Sequence, residues 1–163
     1  MIIALSGYAQ SGKDTTADIL VREFGFTRIA FADKLKEVAH RLHYWNGSKD
    51  DIGRLHLQVL GQVLREELGD DVWVRAAFKD HVEVKNYVVS DCRYQNEASF
   101  ITELGGEIWR VWRPGYTAVN GHISETNLDN WPFDRTIHNT GTTLELRAQV
   151  FKIMESKGIC RGW

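Results

Sequence analysis

Runs of apolar residues alternate along this chain with segments of helical spacing. The predicted strands lie at residues 2–6 and 87–92, which are apolar runs, at 26–31, where apolar and polar residues alternate, and at 107–112 and 135–139. Helices are predicted between and after them, at 12–23, 33–43, 54–68, 72–81, 95–104 and 142–155. The run at 87–92 is almost wholly apolar, as expected of a strand that is buried on both faces. Because strand and helix signals alternate, we expect an α/β fold with a parallel sheet flanked by helices.

Local signals support several of these elements. Four leucines in the helix at 54–68 recur at helical spacing and should face the core: Leu57, Leu60, Leu64 and Leu68. Gly105 and Gly106 stop the helix that precedes them. Thr142 and Glu145 form a capping box that opens the last helix. Residues 115–131 show neither helical nor strand periodicity and are predicted to form a loop. A loop of that length inside a compact domain is usually functional.

A glycine-rich segment follows the first predicted strand. Residues 7–13 read GYAQSGK, which fits the pattern GxxxxGK between a strand and a helix. In that context the glycines allow backbone N–H groups to surround a polyphosphate, and the helix N-terminus adds a favourable dipole. Lys13 would place a cation between the terminal phosphates. The sequence therefore predicts a nucleotide phosphate loop, with a purely structural glycine turn as the alternative.

The position after Lys13 departs from the usual pattern. It normally carries a serine or threonine whose hydroxyl binds Mg²⁺, and here it is Asp14. Thr15 or Thr16 could supply the hydroxyl, Asp14 could hold the ion through water, or Asp14 could only cap the helix. Asp91 ends the strand at 87–92, where phosphate-loop enzymes place an acid that orients Mg²⁺.

Two groups of residues suggest a site for a phosphorylated ligand. Arg93 follows a predicted strand at its carboxyl end, where ligands bind in α/β sheets, and its planar fork suits a phosphate. A surface salt bridge from Arg93 to Glu97 is the alternative. In the helix at 54–68, a sector of about 60° carries two arginines, an amide and a glycine. We expect a phosphorylated ligand, rather than a plain polar face, to lie against Arg54, Gln58, Gly61 and Arg65.

Other polar and aromatic residues are candidates with weaker support. Asp33 is either a helix N-cap or a contact to a sugar hydroxyl or acceptor phosphate, with Lys34 and Lys36 beside it. Either Arg113 or Arg110, which flank the long loop, could stabilise a transferring phosphoryl group. The remaining candidates are Trp73 as a ring that stacks on a base, His122 as a loop contact, and Cys92 as a buried thiol.

Composition narrows the class of protein. The chain has 163 residues, 43% hydrophobic and 26% charged, as in one ordinary globular domain. A net charge of −2 gives no strong field toward nucleic acid or anionic membranes. Two cysteines fit a reducing cytoplasm, and neither a signal peptide nor a membrane span is evident. We therefore expect a cytoplasmic monomer or homodimer (in the host cytoplasm if viral) whose partners are small molecules.

These features together resemble the bacteriophage deoxynucleoside monophosphate kinases, within the nucleoside-monophosphate-kinase-like phosphate-loop (P-loop) fold. The likeness covers nearly the whole chain. Its matching segments are GYAQSGKDTTA (7–17), FADKLK (31–36), LQVLGQVLREELGDDVW (57–73), VVSDCRYQNEA (88–98), GGEIWRVWRP (105–114), HISE (122–125) and IHNTGTTLEL (137–146).

The resemblance implies one three-layer P-loop kinase domain over residues 1–163. It would contain a five-stranded parallel core, a helical acceptor-binding part at about 32–84 and a mobile lid at about 113–131. The reaction would transfer the γ-phosphoryl group of ATP, with Mg²⁺, to a deoxynucleoside monophosphate (dNMP). Two alternatives stay open: a kinase of another phosphorylated metabolite (dephospho-coenzyme A or phosphomevalonate type) and a non-catalytic ATP-binding switch.

The resemblance also assigns roles to individual residues. The catalytic set would be Lys13, Arg65, Arg93 and Arg113. ATP would be bound by Gly7, Ser11, Gly12, Lys13, Asp14, Thr15, Thr16 and, near the adenine, Asn139. The dNMP would contact Asp33, Lys36, Arg54, Gln58, Arg65, Trp73 and Arg93. The metal would be served by Asp14, Thr15 and Asp91.

Overall fold

The computed structural model describes residues 1–48, 50–79, 86–118 and 123–159. The chain forms two compact units, one of Met1–Ile29 with Val84–Trp163 and the other of Ala30–Glu83. The first unit contains the sheet. Its strands are β1 (Ile2–Ser6), β2 (Thr27–Ile29), β3 (Tyr87–Val89), β4 (Glu107–Trp112) and β5 (Arg135–His138).

The five strands form one parallel sheet in the order β2-β3-β1-β4-β5. The five-stranded parallel core that the resemblance implied is therefore confirmed. β2 is shorter than the predicted run at 26–31, because it lies at the sheet edge and pairs only with the three residues of β3. β1 lies between β3 and β4, so the segment that follows β1 leaves the middle of the sheet.

Helices flank this sheet in the first unit. They are α1 (Lys13–Phe24), α5 (Gln95–Glu103), the single turn α6 (Ile123–Thr126) and α7 (Thr143–Ser156). α1 and α7 pack on each other, and α5 packs on β1 and β4. The core between these elements is apolar, and its fully buried side chains include Ile3, Leu5, Leu20, Trp109, Ile137 and Met154. Burial of this apolar surface is the main force that fixes the sheet.

The second unit is helical and contains α2 (Phe31–Arg41), α3 (Asp51–Leu68) and α4 (Val72–Phe78). α3 begins three residues before the predicted start, because the Asp50 carboxylate accepts a hydrogen bond from the Gly53 N–H at 2.7 Å and caps the helix. Its leucines were expected to face the core. Leu57, Leu60 and Leu64 are only half-buried, and the expectation is wrong for Leu68, which is 56% exposed at the helix end.

The second unit spans nearly the residues expected to form the acceptor-binding part, and that role stays a prediction. The predicted helix at 72–81 ends at Phe78, and its last expected residues lie outside the described part of the chain. The described helices include none long and apolar enough to cross a membrane.

The capping box of α7 offers a direct test of the fold. Thr142 Oγ1 accepts from the Glu145 N–H, and a Glu145 carboxylate oxygen accepts from the Thr142 N–H at 2.6 Å. We expect Thr142→Ala to lower the free energy of unfolding by about 1 kcal/mol, because a helix N–H loses its partner. Urea denaturation measures this change. Thr142→Ser keeps the hydroxyl and should unfold like the wild type, and equal losses in both variants would contradict the capping role.

Candidate functional site

The phosphate loop leaves β1 through glycine positions that no other residue fits. Gly7 has φ 145°, and a Cβ there would lie 2.3 Å from the Val111 carbonyl oxygen. Gly12 has φ 108°, and its Cβ would lie 2.6 Å from the Asn139 side-chain nitrogen. Positive φ disfavours larger residues at both positions, and the close approach of the Val111 backbone excludes them at Gly7. The loop therefore lies tightly against β4 and the segment after β5, as the GxxxxGK interpretation requires.

Lys13 bends back over this loop. Its ammonium group donates to the carbonyl oxygens of Gly7 at 2.6 Å and Tyr8 at 2.7 Å. Burial, followed by the nearby Arg93 guanidinium, lowers the pKa of Lys13 to about 8, against the opposing carboxylates of Glu125, Asp14 and Asp91. Two cations thus approach each other at the carboxyl end of the sheet, which favours the binding of an anion there.

A cavity opens beside the loop. It is lined by residues of the loop, α1, the end of β4 and the start of α7, namely Gln10, Gly12, Lys13, Asp14, Thr15, Arg113, Asn139, Gly141, Thr143 and Leu146. Asn139 donates from its side-chain nitrogen to the Ser11 carbonyl oxygen at 2.8 Å. Ser11 is buried and contributes this carbonyl to the loop structure. The structure thus brings together five residues that were expected to bind ATP: Gly12, Lys13, Asp14, Thr15 and Asn139.

The candidate metal ligands and the neighbouring Thr16 differ in their hydrogen-bond partners and in their exposure. Asp14 is 80% exposed and accepts from Arg28 Nη2 at 2.7 Å, so Arg28 competes for its carboxylate. The alternative that Asp14 only caps α1 is wrong, because Gly12 is the N-cap and no side chain caps the helix. Thr16 is buried, and its hydroxyl donates to the Gly12 carbonyl oxygen at 3.0 Å.

Thr15 and Asp91 remain the better fit for Mg²⁺. Thr15 lines the cavity, and Asp91 is half-buried directly after β3, close enough for its charge to affect Lys13. Hydroxyl and carboxylate oxygens are ligands that Mg²⁺ prefers, and it uses few protein groups beside water and phosphate. The described residues contain no cluster of three or more His, Cys, Asp or Glu side chains suited to a metal. A phosphate-bound Mg²⁺ needs no such cluster.

Arg93 has a partner that sequence reasoning missed. Its Nη1 donates to a Glu125 carboxylate oxygen at 2.6 Å, while the Arg93 backbone N–H donates to Glu97 at 2.8 Å. The other Glu125 oxygen accepts from the Ala9 N–H in the phosphate loop at 3.3 Å. No spacing in the sequence relates positions 9, 93 and 125, and only the HISE segment of the resemblance drew attention to this region. The neighbouring His122 lies outside the described residues.

The two arginines that flank the long loop lie in different surroundings. Arg113 lines the cavity and donates to the Gln10 carbonyl oxygen at 3.3 Å. Arg110 pairs with Asp129 at 3.0 Å and lies over the Tyr8 and Phe133 rings, each at 5.1 Å. Arg110 is thus held by the packing around it. Of the two, Arg113 is the one positioned to reach a ligand in the cavity.

The expected acceptor residues of the second unit form no uniform face. Arg54 and Gln58 are exposed on α3, whereas Arg65 is half-buried and its Nη1 lies 3.5 Å from the Gly61 carbonyl oxygen. Gly61 was expected to leave a gap for the ligand. Instead it is buried, and a Cβ there would lie 3.2 Å from Leu35, so this glycine allows α3 to approach α2. The gap expected at Gly61 is therefore filled by helix packing.

Trp73 is buried rather than open to a base, and the N-cap alternative for Asp33 is wrong, while acceptor contacts by Asp33 and Lys36 stay predictions. Trp73 is 3% exposed and donates its indole N–H to the Gly61 carbonyl oxygen at 3.3 Å, so its ring has no open face for stacking on a base. Asp33 is not the N-cap of α2, which is Ala30. It lies in the first turn and pairs with Lys36 at 2.9 Å. A base-stacking role for Trp73 is not supported in this conformation.

Cys92 is a buried residue of the sheet region, as expected. It is 1% exposed, its N–H donates to the Leu5 carbonyl oxygen at 3.1 Å, and burial raises the pKa of its thiol. A thiol that stays protonated is a poor nucleophile.

Comparison with known proteins identifies relatives of the chain. Residues 44–150, more than half of its length, match the family model described as "Deoxynucleotide monophosphate kinase". A protein of Acanthamoeba polyphaga mimivirus named "Putative deoxynucleotide monophosphate kinase" is 29% identical over 187 residues. That match covers 96% of this chain and 97% of the relative.

Solved structures share the fold. Shikimate kinase from Aquifex aeolicus vf5 has a TM-score of 0.57 and 13% identity, covering 98% of this chain and 99% of that one. A dephospho-CoA kinase from Campylobacter jejuni has a TM-score of 0.49 and 14% identity, covering 96% and 98% of the two chains. At these identities a likeness concerns the fold alone. The shikimate kinase match and the five-stranded parallel sheet confirm the expected P-loop kinase fold.

The pKa of Lys13 makes anion binding depend on pH. Because this pKa is about 8, the ammonium form falls from about nine-tenths at pH 7 to about one-tenth at pH 9. We expect the affinity for inorganic tripolyphosphate to fall about tenfold over this range, since only the charged form attracts phosphate. Isothermal titration calorimetry measures it. The arginine in Lys13→Arg stays charged at both pH 7 and pH 9, so the affinity of this variant should depend little on pH. If its affinity also falls tenfold, a group other than Lys13 causes the pH dependence.

Proposed function

The chain belongs to the deoxynucleotide monophosphate kinase family, and on that premise we propose that it transfers the γ-phosphoryl group of ATP to a dNMP. The products would be ADP and the deoxynucleoside diphosphate. The observation that carries the proposal is the pair of cations formed by Lys13, at the end of the phosphate loop, and Arg93, which follows β3. A phosphoryl group in transfer carries negative charge on three oxygens, and such paired cations stabilise it.

The donor side is supported by the cavity beside the loop. ATP phosphates would lie on the loop N–H groups, with Lys13 turned from the carbonyl oxygens of Gly7 and Tyr8 toward them. Asn139, held against Ser11, would lie near the adenine. Thr15 and Asp91 would hold Mg²⁺, which neutralises charge on the β- and γ-phosphates when it is bound.

The acceptor side is supported by Arg93 in the first unit. Arg93 lies at the carboxyl end of β3, next to Lys13, and its fork suits the dNMP phosphate. The resemblance to the kinase family, taken by itself, leads us to assign Arg65 to the acceptor phosphate together with Arg93, and Arg54 and Gln58 as further contacts.

The chemistry requires positioning and charge neutralisation more than covalent participation. The acceptor phosphate is already anionic, so no strong general base is needed. Lys13 and Arg93 would neutralise charge on the group in transfer, and Arg113 would add a third cation from the cavity. Water must be excluded at that moment, because it would otherwise accept the phosphoryl group.

Acceptor choice is tested by supplying each deoxynucleoside and ribonucleoside monophosphate in turn with Mg·ATP. We expect ADP release with one or more dNMPs, detected by a coupled assay, because the family and the cation pair both suit this acceptor. Dephospho-coenzyme A and phosphomevalonate belong in the same panel as alternative phosphorylated acceptors. ATP binding with no turnover on any acceptor would contradict the proposal and favour a non-catalytic switch.

Substitution of the two arginines tests the acceptor site. We expect Arg65→Ala and Arg93→Ala each to raise the KM for the dNMP by about ten- to a hundredfold, the loss typical of a hydrogen bond to a charged group. The affinity for ATP, measured by calorimetry, should change little in Arg65→Ala. Arg41→Ala in α2 is the matched control, since it loses an ion pair with Glu37. Arg147→Ala in α7 is a second control, which loses an ion pair with Glu23 and the contact of the guanidinium with the Phe151 ring. Unchanged acceptor kinetics in both test variants would overturn the assignment.

A further inference from the structure

The Glu125 carboxylate lies against the phosphate loop itself. One oxygen accepts from Arg93 Nη1 at 2.6 Å and the other from the Ala9 N–H at 3.3 Å. The side chain is only 11% exposed, so solvent satisfies little of its charge. Glu125 lies in α6, far along the chain from the loop, and reaches it through the folded structure of the first unit.

Both donors to Glu125 are groups that suit a phosphate. A backbone N–H in a glycine-rich loop is part of an anion-binding concavity, and a guanidinium binds phosphate and carboxylate in the same way. A carboxylate oxygen and a phosphate oxygen cannot occupy these donors together. In this structure Glu125 therefore provides the anion that the loop is built to bind.

The charge balance around Lys13 supports this interpretation. The Glu125 carboxylate stabilises the charged form of Lys13, in opposition to burial and to Arg93. The three Lys13 hydrogens are also directed in part to carbonyl oxygens of the loop rather than outward. The positive groups of the loop are thus compensated from within the chain.

The segment that follows α6 is anchored independently of Glu125. Asn127 accepts from the Gln95 N–H at 2.8 Å, and Asp129 accepts from the Tyr8 hydroxyl at 2.9 Å and from Arg110 at 3.0 Å. These contacts hold the segment beside the loop whether or not Glu125 is engaged. The carboxylate can then leave its donors by rotation of its own side chain.

We propose that Glu125 occupies an anion subsite of the phosphate loop and is displaced when a nucleotide phosphate binds, so that it sets the phosphate affinity of the loop. That the phosphate belongs to a nucleotide rests on the proposed function. The effect is a competition within the molecule: a ligand binds only the fraction of molecules in which the donors are released. The apparent affinity is therefore the intrinsic affinity multiplied by that fraction.

Removal of the charge tests the competition. If Glu125 holds its donors in about nine of ten molecules, Glu125→Gln should bind inorganic tripolyphosphate about tenfold more tightly than the wild type. Isothermal titration calorimetry at pH 7 measures both. Glu23→Gln is the matched control, because it also loses one negative charge from an ion pair, with Arg147 at 2.8 Å, and should bind like the wild type. Unchanged or weaker binding by Glu125→Gln, or equal tightening in both variants, overturns the proposal.

A second measurement uses the wild-type protein and does not depend on how any variant folds. Release of Glu125 should shift the ¹³C NMR resonance of its side-chain carboxyl carbon when tripolyphosphate is added, because the carboxylate loses both of its donors. A resonance that does not move at saturating tripolyphosphate would overturn displacement. Tripolyphosphate carries no nucleoside and the assay needs no turnover, so failure of this proposal and failure of the dNMP assignment are distinguishable.

Discussion

Like-charge repulsion at the carboxyl end of the sheet is the constraint that organises the site. Burial lowers the pKa of the Lys13 ammonium most, and the nearby Arg93 guanidinium lowers it further. Such a pair persists only if other groups compensate its charge. The chain supplies the carbonyl oxygens of Gly7 and Tyr8 for Lys13 and the Glu125 carboxylate for Arg93. The positive charge of this pair also makes the site receptive to phosphate.

The parallel sheet explains why these groups meet. β1 is central, with β3 on one side and β4 on the other, and all three strands end at the same edge. The loop after β1, Arg93 after β3 and Arg113 after β4 therefore converge although they are far apart in the chain. Gly7 then brings the loop against the Val111 carbonyl oxygen, which fixes the direction in which Lys13 begins α1. Strand order thus decides which cations share a site.

The helical unit contains several expected acceptor residues with different surroundings. Gly61 and Trp73 act in packing: the glycine admits Leu35 from α2, and the indole donates to its carbonyl oxygen. Helical spacing placed Arg54, Gln58, Gly61 and Arg65 in one sector, but spacing cannot show which part of a sector a neighbouring helix covers. For the same reason the leucines of α3 were overrated as core residues, and Leu68 is exposed. Helical periodicity identifies the residues that share one face of a helix, whereas the burial of that face depends on which neighbouring element packs against it.

The amino-acid sequence by itself determined the alternation of strands and helices, the phosphate loop and the capping box of α7. These features are local, because each depends on residues within one turn or one strand of each other. Only the tertiary structure decided that Asp14 is engaged by Arg28, that Arg110 is held by Asp129 and that Glu125 contacts both Ala9 and Arg93. Each of these contacts joins residues that the chain brings together only through the packing of separate elements. No spacing along the sequence encodes a distance of that kind.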